Sequence, residues 1–277
     1  AGNWEARAIT EPGTGSDSAN IRTTAVKDGD DYIINGEKIF VTCGERADCV
    51  VVWATLDKSL GRAAIKSFVV EKGTPGFELA RLEHKLGIRA SDTAAFILKD
   101  CRVPKANLLG DPEIQAEKSF AGVMQTFDNT RPLVAAMAVG LAKACLDEIT
   151  PILTEAGLTL DANRPLHRQP HAVAELVRLR ADYEAARLLT LQAAWMADNG
   201  RPNSLEASMA KAKAGRTCVD IALKCVELAG AVGYSEVSLL EKWARDAKIL
   251  DIFEGTQQIQ LLIIARRLLG KSSAELK

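Results

Sequence analysis

Val103-Pro104-Lys105-Ala106-Asn107-Leu108-Leu109-Gly110-Asp111-Pro112-Glu113 is where the chain changes period. Before it, short apolar runs alternate with glycine, proline and asparagine. After it, apolar residues recur at three- and four-residue spacing over long alanine-rich stretches. The first pattern belongs to strands and the second to helices. Working back from this point, Arg7 to Gly110 reads as β. Ile21 to Val26 is strand-like, and Asp28-Gly29 and Asn35-Gly36 read as hairpin turns on either side of Tyr32-Ile33-Ile34. Cys49 to Trp53, Ser67 to Val70 and Ala94 to Leu98 are further strand-length runs. Thr74-Pro75-Gly76 breaks the second and Val103-Pro104 closes the third. Short strands with frequent turns predict an antiparallel, barrel-like β domain over residues 1–111.

Working forward, residues 112–277 read as helical. Glu113 to Ala156 is one long segment with Pro132 and Pro151 inside it, and Pro132 predicts a kink or a first turn. Gly157 to Pro170 reads as a loop. Ala172 to Asn199 is a helix stopped by Gly200. Asn203 with Glu206 predicts a capping box for a helix to about Leu228. Leu239 to Ile252 and Thr256 to Leu269 are two more, separated by Phe253-Glu254-Gly255. Long helices with short connections predict an antiparallel bundle. The fold class is α+β, a β domain followed by a separate helical one.

The 277 residues can build a substantial core. A hydrophobic fraction of 47% and a charged fraction of 26% are those of a globular protein. With a formal net charge of −1, no global basic field favours nucleic acid or anionic lipid. The longest apolar stretch, Leu133 to Ala142, is about ten residues, roughly half of a membrane span. The six cysteines are scattered without a C-x-x-C pair, which reads as reduced, mostly buried thiols in a reducing compartment. Cys218 and Cys225 fall on one helix face. His167 and His171 have an i, i+4 spacing, but Pro170 lies between them and no third ligand is apparent, so no metal is expected.

Four segments can carry chemistry. Thr10-Glu11-Pro12-Gly13-Thr14-Gly15-Ser16-Asp17 is a tight loop whose backbone can approach a ligand, or an ordinary turn before a strand. It lacks the spacing of a Walker or Rossmann loop. Phe40-Val41-Thr42 is in isolation a strand. Phe127-Asp128-Asn129-Thr130-Arg131-Pro132 carries a charged pair at a helix kink, in isolation a local ion pair. Phe253-Glu254-Gly255-Thr256 puts a carboxylate at a corner before a new helix, whose free N–H groups would point back toward it. Held away from water there, Glu254 would be a general base; the plainer alternative is a helix cap.

In this order the segments resemble the acyl-CoA dehydrogenase family over essentially the whole chain. Ile9 to Asp17 is similar to its middle-domain signature, Asn35 to Thr42 to its flavin-contact strand, and Lys85-Leu86-Gly87-Ile88-Arg89-Ala90-Ser91 and Val103 to Gly110 to later middle-domain segments. Arg245 to Lys248 and Phe253 to Gln260 resemble its C-terminal signature. The resemblance implies a β-barrel-like middle domain, a four-helix bundle and FAD held between them and a neighbouring subunit. By motif, Thr10, Gly15, Ser16, Phe40, Thr42, Thr256 and Gln258 would contact the flavin. Ser16 and Ser91 would lie near the pantetheine arm of CoA, and Asp128 and Arg131 by the substrate channel. Glu254 matches the usual base. A few relatives take their base at the position Thr130 holds, and threonine cannot serve. The implied reaction converts an acyl-CoA to a trans-2-enoyl-CoA. Glu254 takes the α proton, flavin N5 takes the β hydride, and the Glu254 N–H and a ribityl hydroxyl bind the thioester oxygen. Electrons would pass to an electron-transfer flavoprotein, in the bacterial cytoplasm or a mitochondrial matrix.

Two departures qualify this. The family carries an N-terminal helical domain before the Thr10 loop, of about a hundred residues. Only nine residues precede Thr10 here, so the expectation is that either the chain is proteolysed or incompletely given, or another polypeptide supplies that wall. Many members also have an Arg-Lys-x-Phe-Gly-type segment reaching a neighbour's FAD; Glu155-Ala156-Gly157-Leu158-Thr159-Leu160 is not equivalent, and Glu227 stands where a glutamine is frequent. A homo- or heterotetramer is expected, and these changes favour a heteromer with a related subunit. The alternatives are a flavin acyl-CoA oxidase, which differs in oxygen access, and a non-catalytic partner subunit.

Overall fold

A computed structural model of the chain describes residues 4–114, 121–272 and 275. The chain divides into two compact units, Ala1–Met124 and Gln125–Lys277.

The first unit is built on β1 (Glu5–Ala8), β2 (Thr24–Asp28), β3 (Asp31–Thr42), β4 (Cys49–Thr55), β5 (Ile65–Glu71), β6 (Phe77–Leu82), β7 (Thr93–Pro104) and β8 (Leu108–Leu109). They form one sheet in the order β6-β7-β3-β2-β4-β5-β8, with β1 alongside β4. Most pairings are antiparallel; β1 with β4 and the single Thr24–Thr55 pairing of β2 with β4 are parallel. The predicted antiparallel β domain is present, but the barrel is not closed: among the described residues its end strands β6 and β8 do not pair. The sheet instead curls over its own core. Tyr32 on β3 meets Phe68 on β5 edge-on at 5.1 Å, although β2 and β4 lie between them in the sheet order. Ile34, Val41, Val52, Ala54, Phe68, Ala94 and Cys101 are fully buried in that core.

Asp28-Gly29 makes the expected turn, with Gly29 at φ 62°. Asn35-Gly36 does not. β3 runs through it with a register shift against β7 between Ile34 and Gly36, so this turn signal is a β-bulge. Asn35 and Asp100 exchange hydrogen bonds across the bulge, Asp100 N to Asn35 Oδ1 at 2.8 Å and Asn35 Nδ2 to Asp100 Oδ1 at 3.3 Å. A Cβ on Gly36 would lie 2.7 Å from the Thr23 backbone, so only glycine lets β3 pass this close.

The second unit contains α1 (Ala121–Glu155), α2 (His171–Asp198), α3 (Ser204–Ala229), the single turn α4 (Ala231–Tyr234), α5 (Leu240–Leu250) and α6 (Gln257–Leu269). The predicted start of the first helix at Glu113 is a bend; part of that segment, residues 115–120, lies outside the described set. α1 runs through both Pro132 and Pro151. α2 packs on α3, and α3 also carries α5 and α6. The core of this unit combines small residues and thiols, including Ala135, Ala138, Cys145, Ala193, Ala210, Cys218, Ala222 and Cys225, with larger side chains such as Ile149, Ile221, Leu240 and Leu250. All six cysteines are free, and burial pushes the Cys145, Cys218 and Cys225 thiols well up. The expected capping box at Asn203 is absent. The Asn203 side chain makes no cap bond and donates instead to Ala193 O at 3.2 Å, tying the end of α2 to the start of α3. No helix among the described residues is long and apolar enough to cross a membrane.

Candidate active site

Opposite charges buried together organise the Thr10–Ser16 loop. Reciprocal backbone bonds between Glu11 and Thr14, at 3.0 and 3.1 Å, close a tight turn over Pro12-Gly13. Beneath it the Glu11 carboxylate accepts from Lys38 Nζ at 2.8 Å, Thr23 Oγ1 at 2.6 Å, Thr23 N at 3.0 Å and Arg22 N at 2.6 Å. Lys38 is fully buried and also donates to Ile9 O at 3.3 Å. Burial pushes the Lys38 ammonium down to about 8 against the pull of Glu11. Burial alone would raise the Glu11 carboxyl, but the Lys38 charge and the surrounding donors hold it below its ordinary value. With its base anchored, the loop presents Gly13, Gly15 and Ser16 outward, and a Cβ on Gly15 would meet nothing.

Thr10 is stitched to β3 by Ile39 N donating to Thr10 O at 2.9 Å. At that point β3 bulges again, with a register shift between Lys38 and Val41. Phe40 sits there at φ 58° with 59% of its surface exposed. A left-handed, exposed phenylalanine on a bulge is a side chain aimed deliberately outward. Thr42 is exposed at the end of the same strand. Ser91 lies nearby: Thr42 pairs with Thr93, and Cys43 N donates to Asp92 O at 3.0 Å. The Lys85–Ser91 loop is held from within. Lys85 Nζ donates to Ser91 O and, at 2.6 Å, to Thr93 Oγ1, and Arg89 Nε donates to Lys85 O at 2.7 Å. The structure therefore gathers Thr10, Phe40, Thr42 and Ser91 along β3, with Gly15 and Ser16 on the adjoining loop.

In the helical unit the centre is the corner between α5 and α6. Glu254 occupies it at φ 57°, a backbone conformation costly for glutamate, and Gly255 follows at φ 93°. The Glu254 Oε2 accepts from Thr130 Oγ1 at 2.8 Å, a contact across 124 residues of sequence. Thr256 is the N-cap of α6, its Oγ1 accepting from Ile259 N at 3.4 Å. Gln258 is exposed on the first turn. Arg131 is buried and pairs with Asp128 at 2.7 Å, with Ser208 Oγ at 3.5 Å. Burial pushes the Arg131 guanidinium down, while Asp128 and Glu254 hold its proton. The local ion pair thus exists, and Glu254 lies within its field. His167 sits in a short 3-10 turn and His171 opens α2, so the two do not share a helix. Among the described residues no cluster of three or more His, Cys, Asp or Glu could hold a metal ion.

Sequence reasoning missed Lys211 and the part played by Gln260. Lys211 Nζ donates to Gly255 O at 2.7 Å, and Gln260 Nε2 to both Glu254 O and Gly255 O at 3.1 Å. The available signal was the company Lys211 keeps: Ala207, Ser208, Ala214 and Gly215, on the same α3 face, are all buried.

The family model for the acyl-CoA dehydrogenase middle domain matches residues 6–101, and that for the acyl-CoA dehydrogenase C-terminal domain matches residues 120–269. The chain is 39% identical to the mitochondrial short-chain specific acyl-CoA dehydrogenase of Rattus norvegicus over 95% of its own length. It spans 62% of the length of that relative. Among solved structures it is similar to the butyryl-CoA dehydrogenase of Megasphaera elsdenii, at 36% identity and a TM-score of 0.86, covering 96% of this chain and 68% of that one. It is also similar to a structure described as the electron transferring flavoprotein of Acidaminococcus fermentans, at 38% identity and a TM-score of 0.87, with the same coverage.

Proposed function

As the chain belongs to the acyl-CoA dehydrogenase family, we propose that it supplies the base and the flavin contacts of an enzyme that converts an acyl-CoA thioester to a trans-2-enoyl-CoA. The observation that carries this reading is Glu254: a carboxylate on a left-handed corner, bonded to Thr130 and within the field of two buried cations, Arg131 and Lys211. Backbone strain of this kind persists where the surroundings enforce it, and it concentrates at functional sites.

The residues of the β unit suit FAD. Open backbone at Gly15, the exposed Phe40 face and the exposed Thr42 and Ser16 hydroxyls offer a flat apolar contact with polar groups around it. Thr10, Gly15, Ser16, Phe40 and Thr42, with Thr256 and Gln258, would hold it. When bound, the flavin supplies the acceptor for the hydride that leaves the β carbon.

The work of the chain is at the proton. Glu254 takes the proton from the carbon α to the thioester carbonyl, and its carboxylate becomes a carboxylic acid. Negative charge then develops on the thioester oxygen, which needs a donor such as the Glu254 N–H. Thr130 fixes the direction of the carboxylate before the substrate arrives. Ser16 and Ser91 would line the pantetheine arm, and Asp128 and Arg131 would border the acyl channel. Electrons would leave to an electron-transfer flavoprotein, and the reducing cytoplasm or mitochondrial matrix suits six free thiols. Assembly with a related subunit is proposed because Glu155 to Leu160 and Glu227 depart from residues that other members lend to a partner. Purification as a homotetramer with one FAD per chain would contradict it. The activity itself is tested by adding a panel of acyl-CoA esters anaerobically to the flavin-loaded protein. At least one should bleach the flavin; bleaching by none would reject the reading.

A further inference from the structure

Glu254 O and Gly255 O are held by two side chains from different helices. Gln260 comes from α6 and Lys211 from α3, and both are fully buried. The Gln260 amide nitrogen is engaged here, its Nε2 serving both carbonyls, while its Oε1 is buried without a partner. Lys211 is harder to explain as mere structure. Among the described residues no carboxylate lies within ion-pair distance of it. Asp251, the acidic residue that pulls hardest on it, is already held by Lys248 at 3.1 Å and Arg216 at 3.4 Å. A buried ammonium without a carboxylate partner is costly, and an aliphatic side chain would pack more readily beside Ala207 and Ala214.

We propose that Lys211 and Gln260 are positioning residues for the base. They clamp the Glu254–Gly255 carbonyls, keep the Glu254 carboxylate on Thr130, and place one unneutralised positive charge beside it. The inference rests on Glu254 being the base. Three charged groups act on Lys211. Asp251 and Glu254 hold its proton, Arg131 opposes them, and burial, the largest influence, pushes Lys211 down to about 8. The ammonium is therefore present at neutral pH and lost in mildly alkaline solution.

The test compares the wild-type holoenzyme with Lys211→Met, Lys211→Arg, Gln260→Met and Glu254→Gln, at saturating acyl-CoA. Lys211→Met and Gln260→Met should each lower kcat by about tenfold or more, because a small misplacement of a reacting group is expensive. KM should change little. The kinetic isotope effect from deuterium at the α carbon should rise, as proton removal becomes slower. The wild type should lose activity above about pH 8 as Lys211 gives up its proton. Lys211→Arg should recover part of the lost kcat and abolish that alkaline fall, which a purely structural lysine would not govern. If both methionine variants stay within about twofold of wild type while Glu254→Gln is silent, the clamp is overturned and the base stands. If Glu254→Gln itself turns over normally, the base reading fails and takes the clamp with it. Should Lys211→Met fail to fold, Gln260→Met decides by the same readouts.

Discussion

Two buried lysines, Lys38 in the β unit and Lys211 in the helical unit, have the same exposure and are pushed down to about the same value, yet they are used in opposite ways. Lys38 is neutralised by Glu11 at 2.8 Å, and the pair sits under a loop that must keep its shape. Among the described residues Lys211 meets a carbonyl and no carboxylate, beside a side chain proposed to react. In the first, charge is consumed in holding structure; in the second it is left over. A buried cation is thus informative through its partner: a matched ion pair points to architecture, an unmatched one beside a strained carboxylate to chemistry.

The comparison breaks or sharpens by removing each lysine in turn. Lys38→Met leaves Glu11 buried and uncompensated and should cost about 3–5 kcal/mol of stability, read from the urea midpoint. Lys211→Met should cost far less, about 1 kcal/mol, because Gly255 O keeps its bond from Gln260. Equal losses would erase the distinction. An effect between these two is expected at Gly255→Ala. A Cβ there would lie 2.4 Å from Gln260 Nε2 on a backbone at φ 93°. The cost should be about 1–3 kcal/mol, together with a lower kcat as the corner shifts. Unchanged kcat would separate the corner from the reaction.

The two units also differ in the pH dependence of folding. Lys211 is held at about 8 in the folded chain against 10.5 as its ordinary value. Between those values the unfolded chain binds more protons, so wild-type stability rises with pH across that window on account of this group. Lys211→Met lacks that contribution, and the wild type should gain on it from pH 8 to 10.5. Glu11 acts at the other end. Its folded carboxyl lies below 4.5, so its contribution is present above that value and fades as acid protonates it. A constant difference between wild type and Lys211→Met across the alkaline window would contradict the assignment.

Legibility in the sequence followed locality. The period change after Val103-Pro104 revealed the α+β order, because helix and strand patterns are written within a few residues. The loop at Thr10 and the corner at Glu254 were visible as short motifs whose order and spacing carried the resemblance. Asn35-Gly36 reads as a turn in the sequence because a bulge needs the same residues, and only β7 continuing alongside distinguishes the two. β6 escaped notice because it lies at the sheet edge with no buried residue, so no alternation marks it. Asn203 looked like a cap until α2 offered it a carbonyl. Lys211 is inconspicuous in the sequence because a lysine in a helix is ordinarily solvated, and its bond to Gly255 spans 44 residues. The Thr130–Glu254 bond is longer still in sequence, and no spacing rule predicts it.

The central claim is that Glu254 removes the proton. It is tested most directly by rapid anaerobic mixing of flavin-loaded wild type and Glu254→Gln with the acyl-CoA that reduces the wild type fastest. The account predicts that Glu254→Gln binds flavin and substrate normally while flavin reduction slows on the order of 10³-fold, the scale of a lost general base. Reduction within about tenfold of the wild-type rate would contradict it, since the proton would then be leaving to another group.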